Sequence, residues 1–313
     1  MGTLMRVALI TLLLACGLVH AQDVQGLPDR MQRGGTFVEP PAEVDPAFTP
    51  LGPNQPGAVP WKEPEFSLRL SLDLPLRSGA PAGAGTQGSR AGSATAQALL
   101  RWRPFESNRA WFVQGAAFSY LHRDRQRSWD PDFTYAFGYD DGQLGHWAFI
   151  YANYTGTRWS PDGARGERRW NFDQGQWSAI YRFGLPEPLQ PLLLAGDGDH
   201  ATCHADGNYV PRFTQQSGGI ASGKVSFALG CRYDRPEGWF AHFTGFAWPD
   251  TGQQQPWDPD YTYGFGWTAP GDPHAFTIQY ANYSGNRWPG RARGLGEGQV
   301  RSGSINISWG ATW

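Results

Sequence analysis

The sequence predicts an all-β fold: a transmembrane, antiparallel up-and-down β-barrel of about twelve strands, built from two internal repeats. Three features carry that expectation: short segments that alternate with period two, a rhythm of long and short connections, and a pattern that recurs about 128 residues on. Period two matters because successive strand side chains point to opposite faces, so one face of a barrel wall can be apolar and the other polar.

The first 21 residues read as an export signal. Arg6 supplies a basic start, Val7–Ala15 is an apolar run too short to span a bilayer as a helix, and Val19-His20-Ala21 suits cleavage. A lipoprotein reading stands beside it, with lipid on Cys16 of Leu13-Leu14-Ala15-Cys16. Residues 22–64 are Pro-rich and aperiodic, as in Glu39-Pro40-Pro41 and Val59-Pro60, and read as an irregular periplasmic lead-in. The barrel is expected over 65–313, with repeats at about 65–185 and 189–313.

Composition agrees with β-structure. The chain has 41 Gly, 15 Trp, 12 Tyr and 18 Phe against 17% charged residues, which favours turns and strands over helix. A mean hydropathy of −0.49 would suit a soluble protein, but a barrel strand is apolar on only one face. With 26 basic and 28 acidic residues the formal charge is −2, and losing Arg6 with the signal makes it one unit more negative. Nothing in that balance asks for nucleic acid.

The first strand sets the pattern. Phe66, Leu68, Leu70, Leu72 and Leu74 share one face, and Ser67, Arg69, Ser71 and Asp73 the other. Further strands are expected near 95–105, 110–122, 132–140, 146–157, 175–185, 189–196, 223–234, 239–248, 260–268, 274–285 and 302–313. Connections near 77–94, 124–131, 158–174, 197–222, 249–259 and 286–301 are long, polar and Gly-rich. Those near 106–109, 141–145, 186–188, 235–238 and 269–273 are short. Long and short alternate, as outer loops and periplasmic turns do in a membrane barrel.

The repeat is explicit. Trp129-Asp130-Pro131-Asp132-Phe133-Thr134-Tyr135 returns as Trp257-Asp258-Pro259-Asp260-Tyr261-Thr262-Tyr263. Tyr151-Ala152-Asn153-Tyr154 returns as Tyr280-Ala281-Asn282-Tyr283, and Trp111-Phe112 as Trp239-Phe240. A period this long suits a duplicated half-barrel rather than a solenoid.

In the last strand Ile305, Ile307, Trp309, Ala311 and Trp313 face one way, and Ser304, Asn306, Ser308, Gly310 and Thr312 the other. Here the chain resembles the bacterial outer-membrane β-barrels, porin-like proteins as a class. The resemblance covers roughly 65–313 as architecture. It implies an integral place in a Gram-negative outer membrane, contact with its lipid, and recognition of the terminal aromatic strand by the barrel-assembly machinery.

Parity picks out a lumenal set: Arg69, Asp73, Gln97, Arg101, Arg103, Gln114, Arg182, Arg232, His242 and Gln279. A charge facing mid-bilayer lipid costs about 2–4 kcal/mol, so these side chains are expected inside. If the chain enters from the periplasm, the strands of Arg101, Arg103, Arg182 and Arg232 all run towards it, and the arginines gather at that mouth. They would form a basic constriction for anionic solutes, or else pair internally with Asp73 or with Glu39, Glu43 and Asp45. A second set, Asp130, Asp132 and Arg158 with its repeat Asp258, Asp260 and Arg287, lies at the outer rim. It reads as a structural clasp between neighbouring strands, or as twin sites for a sugar or divalent ion flanked by Trp129, Trp159, Trp257 and Trp288.

Cys203 and Cys231 are able to pair in an oxidising compartment, the alternative being free thiols. The expected topology puts Cys203 in an outer loop and Cys231 late in a descending strand, so a bridge requires an inward-folded loop or another register. No nucleophile motif accompanies the scattered histidines, and His200, Cys203 and His204 lack a fourth metal ligand, so neither catalysis, a cofactor nor a metal is expected. The functional expectation is a channel or export pore for a hydrophilic small molecule or polysaccharide. The alternatives are an adhesive or structural surface barrel with a filled lumen, an outer-membrane lipid-modifying enzyme, and a soluble Trp-rich carbohydrate-binding β-protein.

Overall fold

The computed structural model describes residues 65–76, 94–121, 131–153, 157–160, 172–186, 190, 194, 196, 198–214, 220–255, 258–270, 276–283, 286–291 and 298–313. The signal, the lead-in, Trp129, Asp130 and Trp257 lie outside them, as do Glu39, Glu43 and Asp45.

Twelve strands close into one antiparallel ring. In chain order they are β1 Phe66–Pro75, β2 Thr95–Trp102, β3 Trp111–Tyr120, β4 Phe133–Tyr139, β5 Trp147–Asn153, β6 Gln176–Gly184, β7 His200–Thr214, β8 Ile220–Asp234, β9 Trp239–Ala247, β10 Tyr261–Thr268, β11 Thr277–Asn282 and β12 Ser304–Thr312. Each pairs with its sequence neighbours, and β12 returns to β1 in the register Leu70↔Trp309 and Asp73↔Asn306. Reciprocal backbone bonds between Phe66 and Trp313, 3.0 and 3.1 Å, finish this seam at what is called here the terminal rim. The opposite end is the distal rim. Closure gives every strand a neighbour on both sides, which suits a wall with an apolar exterior.

The alternation read from the sequence is the alternation of the wall. Leu70, Val113, Phe149, Leu229, Ile278 and Trp309 are exposed on the outside, whereas Arg69, Gln114, Ser178, Arg182, His242 and Ser308 are buried on the inside. Trp102, Trp111, Trp147, Trp239 and Trp313 crowd the outer face at the terminal rim. Trp159, Phe172 and Trp288 do so towards the distal rim. Amphipathic rings in two belts, with aliphatic residues between, match the girdles of a membrane barrel.

One expected strand was misplaced. The apolar stretch 189–196 forms no strand among its described residues, and Leu194 N–H instead bonds back to Gln190 O at 2.8 Å, one helical turn. The seventh strand is His200–Thr214, drawn from what was expected to be a long outer loop. The connection between β6 and β7 is therefore the longer one, at the terminal rim, and the strict long-short rhythm fails there. The same shift answers the cysteine difficulty. Cys203 and Cys231 lie directly opposite in the β7–β8 ladder and are joined by a disulfide. The register, not the loop, was the false premise.

Candidate functional site

The lumen holds the predicted polar set. Twelve strands about 4.8 Å apart and tilted about 40° enclose a ring roughly 24 Å across between backbones. Into that space β2 and β3 project a cationic platform. The Arg101 guanidinium lies over the Phe112 ring, 4.6 Å from its centroid, and its Nε donates to Gln114 Oε1 at 2.9 Å. On β8 and β9, Arg232 lies over Phe240 at 3.7 Å and faces His242 in register. Phe112 and Gln114 are the repeat counterparts of Phe240 and His242. Since β2 and β8 are six places apart in a ring of twelve, the two platforms stand on opposite walls. A cation over an aromatic face keeps its charge while gaining a planar bed.

Further arginines sit nearby. Arg69 on β1 donates to Ser308 Oγ at 2.6 Å and lies within electrostatic reach of Arg232 and Tyr283. The strands of Arg69 and Arg232 are five places apart round the ring. Small inward residues leave room for the long side chains. A side chain on Gly264 would collide with the His242 ring, and one on Gly266 with Gln279.

Arg103 and Arg182 lie at the terminal rim, and the pairing with Glu39, Glu43 and Asp45 falls outside the described residues. Arg182 forks onto both carboxylate oxygens of Asp140 at 2.6 and 3.1 Å. Arg103 donates to the carbonyls of Arg109 (2.5 Å) and Asp140 (2.8 Å). Arg232 pairs with Asp234 at 2.7 Å. Asp73 takes no part: it lies towards the distal rim and accepts from Ser304 Oγ at 2.7 Å. Asp140 was missed, though it continues the inward parity of Thr134, Ala136 and Gly138 by one residue.

Burial alone would raise the Asp140 carboxyl, but Arg182, Arg101 and the Gly142 N–H outweigh it and hold it below the usual carboxylate value. A depressed folded value means stability that is present above the ordinary pKa of about 3.9 and lost as pH falls through the lower one. Urea unfolding in detergent should therefore show a loss of stability below about pH 4 that Asp140→Asn removes. An identical acid profile in that variant would deny the pair this role.

At the distal rim Asp132 and Asp260 each centre a clasp. Asp132 accepts from Arg158 Nη1 and from Trp159 N–H, both at 3.1 Å. Asp260 accepts from Trp288 N–H at 3.0 Å, Arg291 at 2.9 Å and Gln254 at 2.8 Å, with Arg287 at 3.8 Å. Each clasp is topped by a close ring pair, Phe133–Trp159 stacked at 4.4 Å and Tyr261–Trp288 tilted at 4.6 Å. These carboxylates already serve protein donors, which favours the clasp over a sugar or cation site. Asp258 is fully buried and pairs with Lys224 at 3.0 Å. Burial pushes its carboxyl up, and Lys224 and the Gln255 N–H pull it back only in part. Lys224 was not singled out from sequence, although it extends the inward row of Ser226, Ala228 and Arg232.

No family profile matches the chain, and no curated protein matches it. Among solved structures it is similar to the NanC porin, at 9% identity over 79% of this chain and 98% of that one, with a TM-score of 0.36. It is also similar to OmpF of Salmonella typhi in its complex with daunomycin, at 9% identity over 79% and 96%, with a TM-score of 0.30.

Proposed function

We propose that the protein is an outer-membrane channel through which hydrophilic solutes, anionic ones preferred, pass along the lumen without a chemical step. The observation that carries this is the pair of arginine platforms, Arg101 over Phe112 and Arg232 over Phe240, facing each other inside a closed wall with an apolar exterior. Cations on opposite walls raise the local concentration of anions, and their aromatic beds suit the flat apolar face of a sugar ring. Outer-membrane lipid would meet the aromatic belts, and the assembly machinery would read β12.

A purified-protein conductance trace in a planar bilayer, with unequal salt on the two sides, tests the reading. Anion-selective current is expected, and the double change Arg101→Gln and Arg232→Gln should move the reversal potential towards zero. An unmoved potential would refute the platforms as the selectivity element. The deep burial of Phe112, Ile150, Ile180 and Phe246 on the inner face favours a second reading, a filled surface barrel, which silence in the parent and in variants that loosen its rim contacts would establish instead.

A further inference from the structure

The β7–β8 hairpin overshoots its neighbours. The two strands pair from His200↔Asp234 to Thr214↔Ile220, yet β6 follows β7 only to Tyr209, and β9 follows β8 only to Phe227. Beyond those points the arms Val210–Thr214 and Ile220–Ser226 have only each other as strand partners. At Gly223 the backbone is left-handed, with φ of 76°, across from Pro211, which brings no N–H to the ladder. The alternation resets there: Val210 and Lys224 continue the inner row, Arg212 and Ser222 are exposed, and Phe213 turns in and is fully buried. A left-handed residue inside a strand bends it, as a bulge does.

What the bent arms meet is specific. Lys224, 1% exposed, donates to both carboxylate oxygens of Asp258 at 3.0 and 3.1 Å. Its Nζ lies 5.0 Å from the Phe213 ring centroid and 5.6 Å from that of Trp248. Asp258 belongs to the connection between β9 and β10 and also accepts the Gln255 N–H at 2.9 Å. Arg287 secures that connection from behind, donating to the carbonyls of Asp258 and, at 2.7 Å, Gln255. On the other side of the hairpin the exposed pair Arg212–Asp173, at 2.8 Å, is solvent-screened and holds it weakly. A buried ion pair gives less stability than an apolar pair of the same volume, but it fixes one arrangement and is costly to break halfway. Those are the properties of a catch.

We propose that Lys224 and Asp258 latch the β7–β8 arms inward at the distal mouth, so that the hairpin gates the lumen. This rests on the channel reading. The test uses the mature protein and two variants, Lys224→Met and Asp258→Asn, each checked for folding by its heat-sensitive migration on a denaturing gel. Hydrogen exchange reads the latch without reference to conduction: amides of residues 220–226 should exchange about tenfold faster or more in both variants, with β1 and β12 unchanged. Planar-bilayer recording reads the gate, and the single-channel current should rise in both. A variant that conducts where the parent is silent also supports the gate. Unaltered exchange in both variants would overturn the latch. Faster exchange with unaltered current in a conducting parent would overturn the gate and leave the channel standing. Silence in the parent and both variants, with faster exchange, would overturn the channel reading and the gate together and leave the latch as a rim contact.

Discussion

Arginine in place of Leu70 is expected to destabilise the folded barrel in a bilayer by about 2–4 kcal/mol. Leu70 lies on the outer face at the middle of β1, paired with Ala98 on one side and Trp309 on the other, and is 40% exposed. In a membrane that exposure is to hydrocarbon, and a guanidinium there must drag water or headgroups inward. Ser71→Arg, one residue further on, places the same charge in the polar lumen beside Gln97 and should cost less than half as much. Denaturant titration in phospholipid vesicles separates the two. Equal costs, or no cost at Leu70, would show that the outer face does not meet lipid and would revive a soluble β-protein.

The second large effect is expected at the distal rim. Asp260→Ala should cost about 3–5 kcal/mol, because it removes a fully buried carboxylate from Arg287, Arg291 and the Trp288 N–H and leaves cations without their counter-charge. Its counterpart Asp132 accepts from Arg158 and the Trp159 N–H, and its side chain is 24% exposed. Water can replace the carboxylate there, so Asp132→Ala should cost only about 1–2 kcal/mol. Urea midpoints measured side by side decide the matter. Matched losses would mean that burial does not set the strength of the clasps.

Most of the wall was legible because an apolar outer face and a polar inner face impose period two on each strand. Leu68, Leu70 and Leu72 against Arg69, Ser71 and Asp73 show it most plainly. β7 was the exception for an intelligible reason. Its inner residues His204, Asp206 and Asn208 are polar, but its outer row runs Cys203, Ala205 and Gly207, too small to register as an apolar face, while the stronger run at Pro191–Ala195 drew the strand to the wrong place. Parity is enough to put Arg101, Arg182 and Arg232 on the inner face. Their neighbours Asp140 and Asp234 escaped notice because they sit just at strand ends, where a pattern confined to strand interiors does not reach. The Lys224–Asp258 contact depends on the bend at Gly223, and alternation reports which face a residue occupies, not how far a hairpin extends past its neighbours.

The β1–β12 seam has a bearing on how such a ring is made. The other neighbouring strands are joined by a connection and can zip from it, whereas Arg69 and Ser308, bonded across the seam, are 239 residues apart. Bringing together points that distant costs about 3 kcal/mol more than closing a ten-residue turn. That cost favours closing the ring last, and a ring not yet closed has β1 and β12 as open edges able to capture a strand from another copy. The polar row along the seam, Arg69 to Ser308 and Asp73 to Ser304, then works as proofreading. A slip of one residue would turn Arg69 and Asp73 to the apolar outer face, a cost that disfavours an off-register ring.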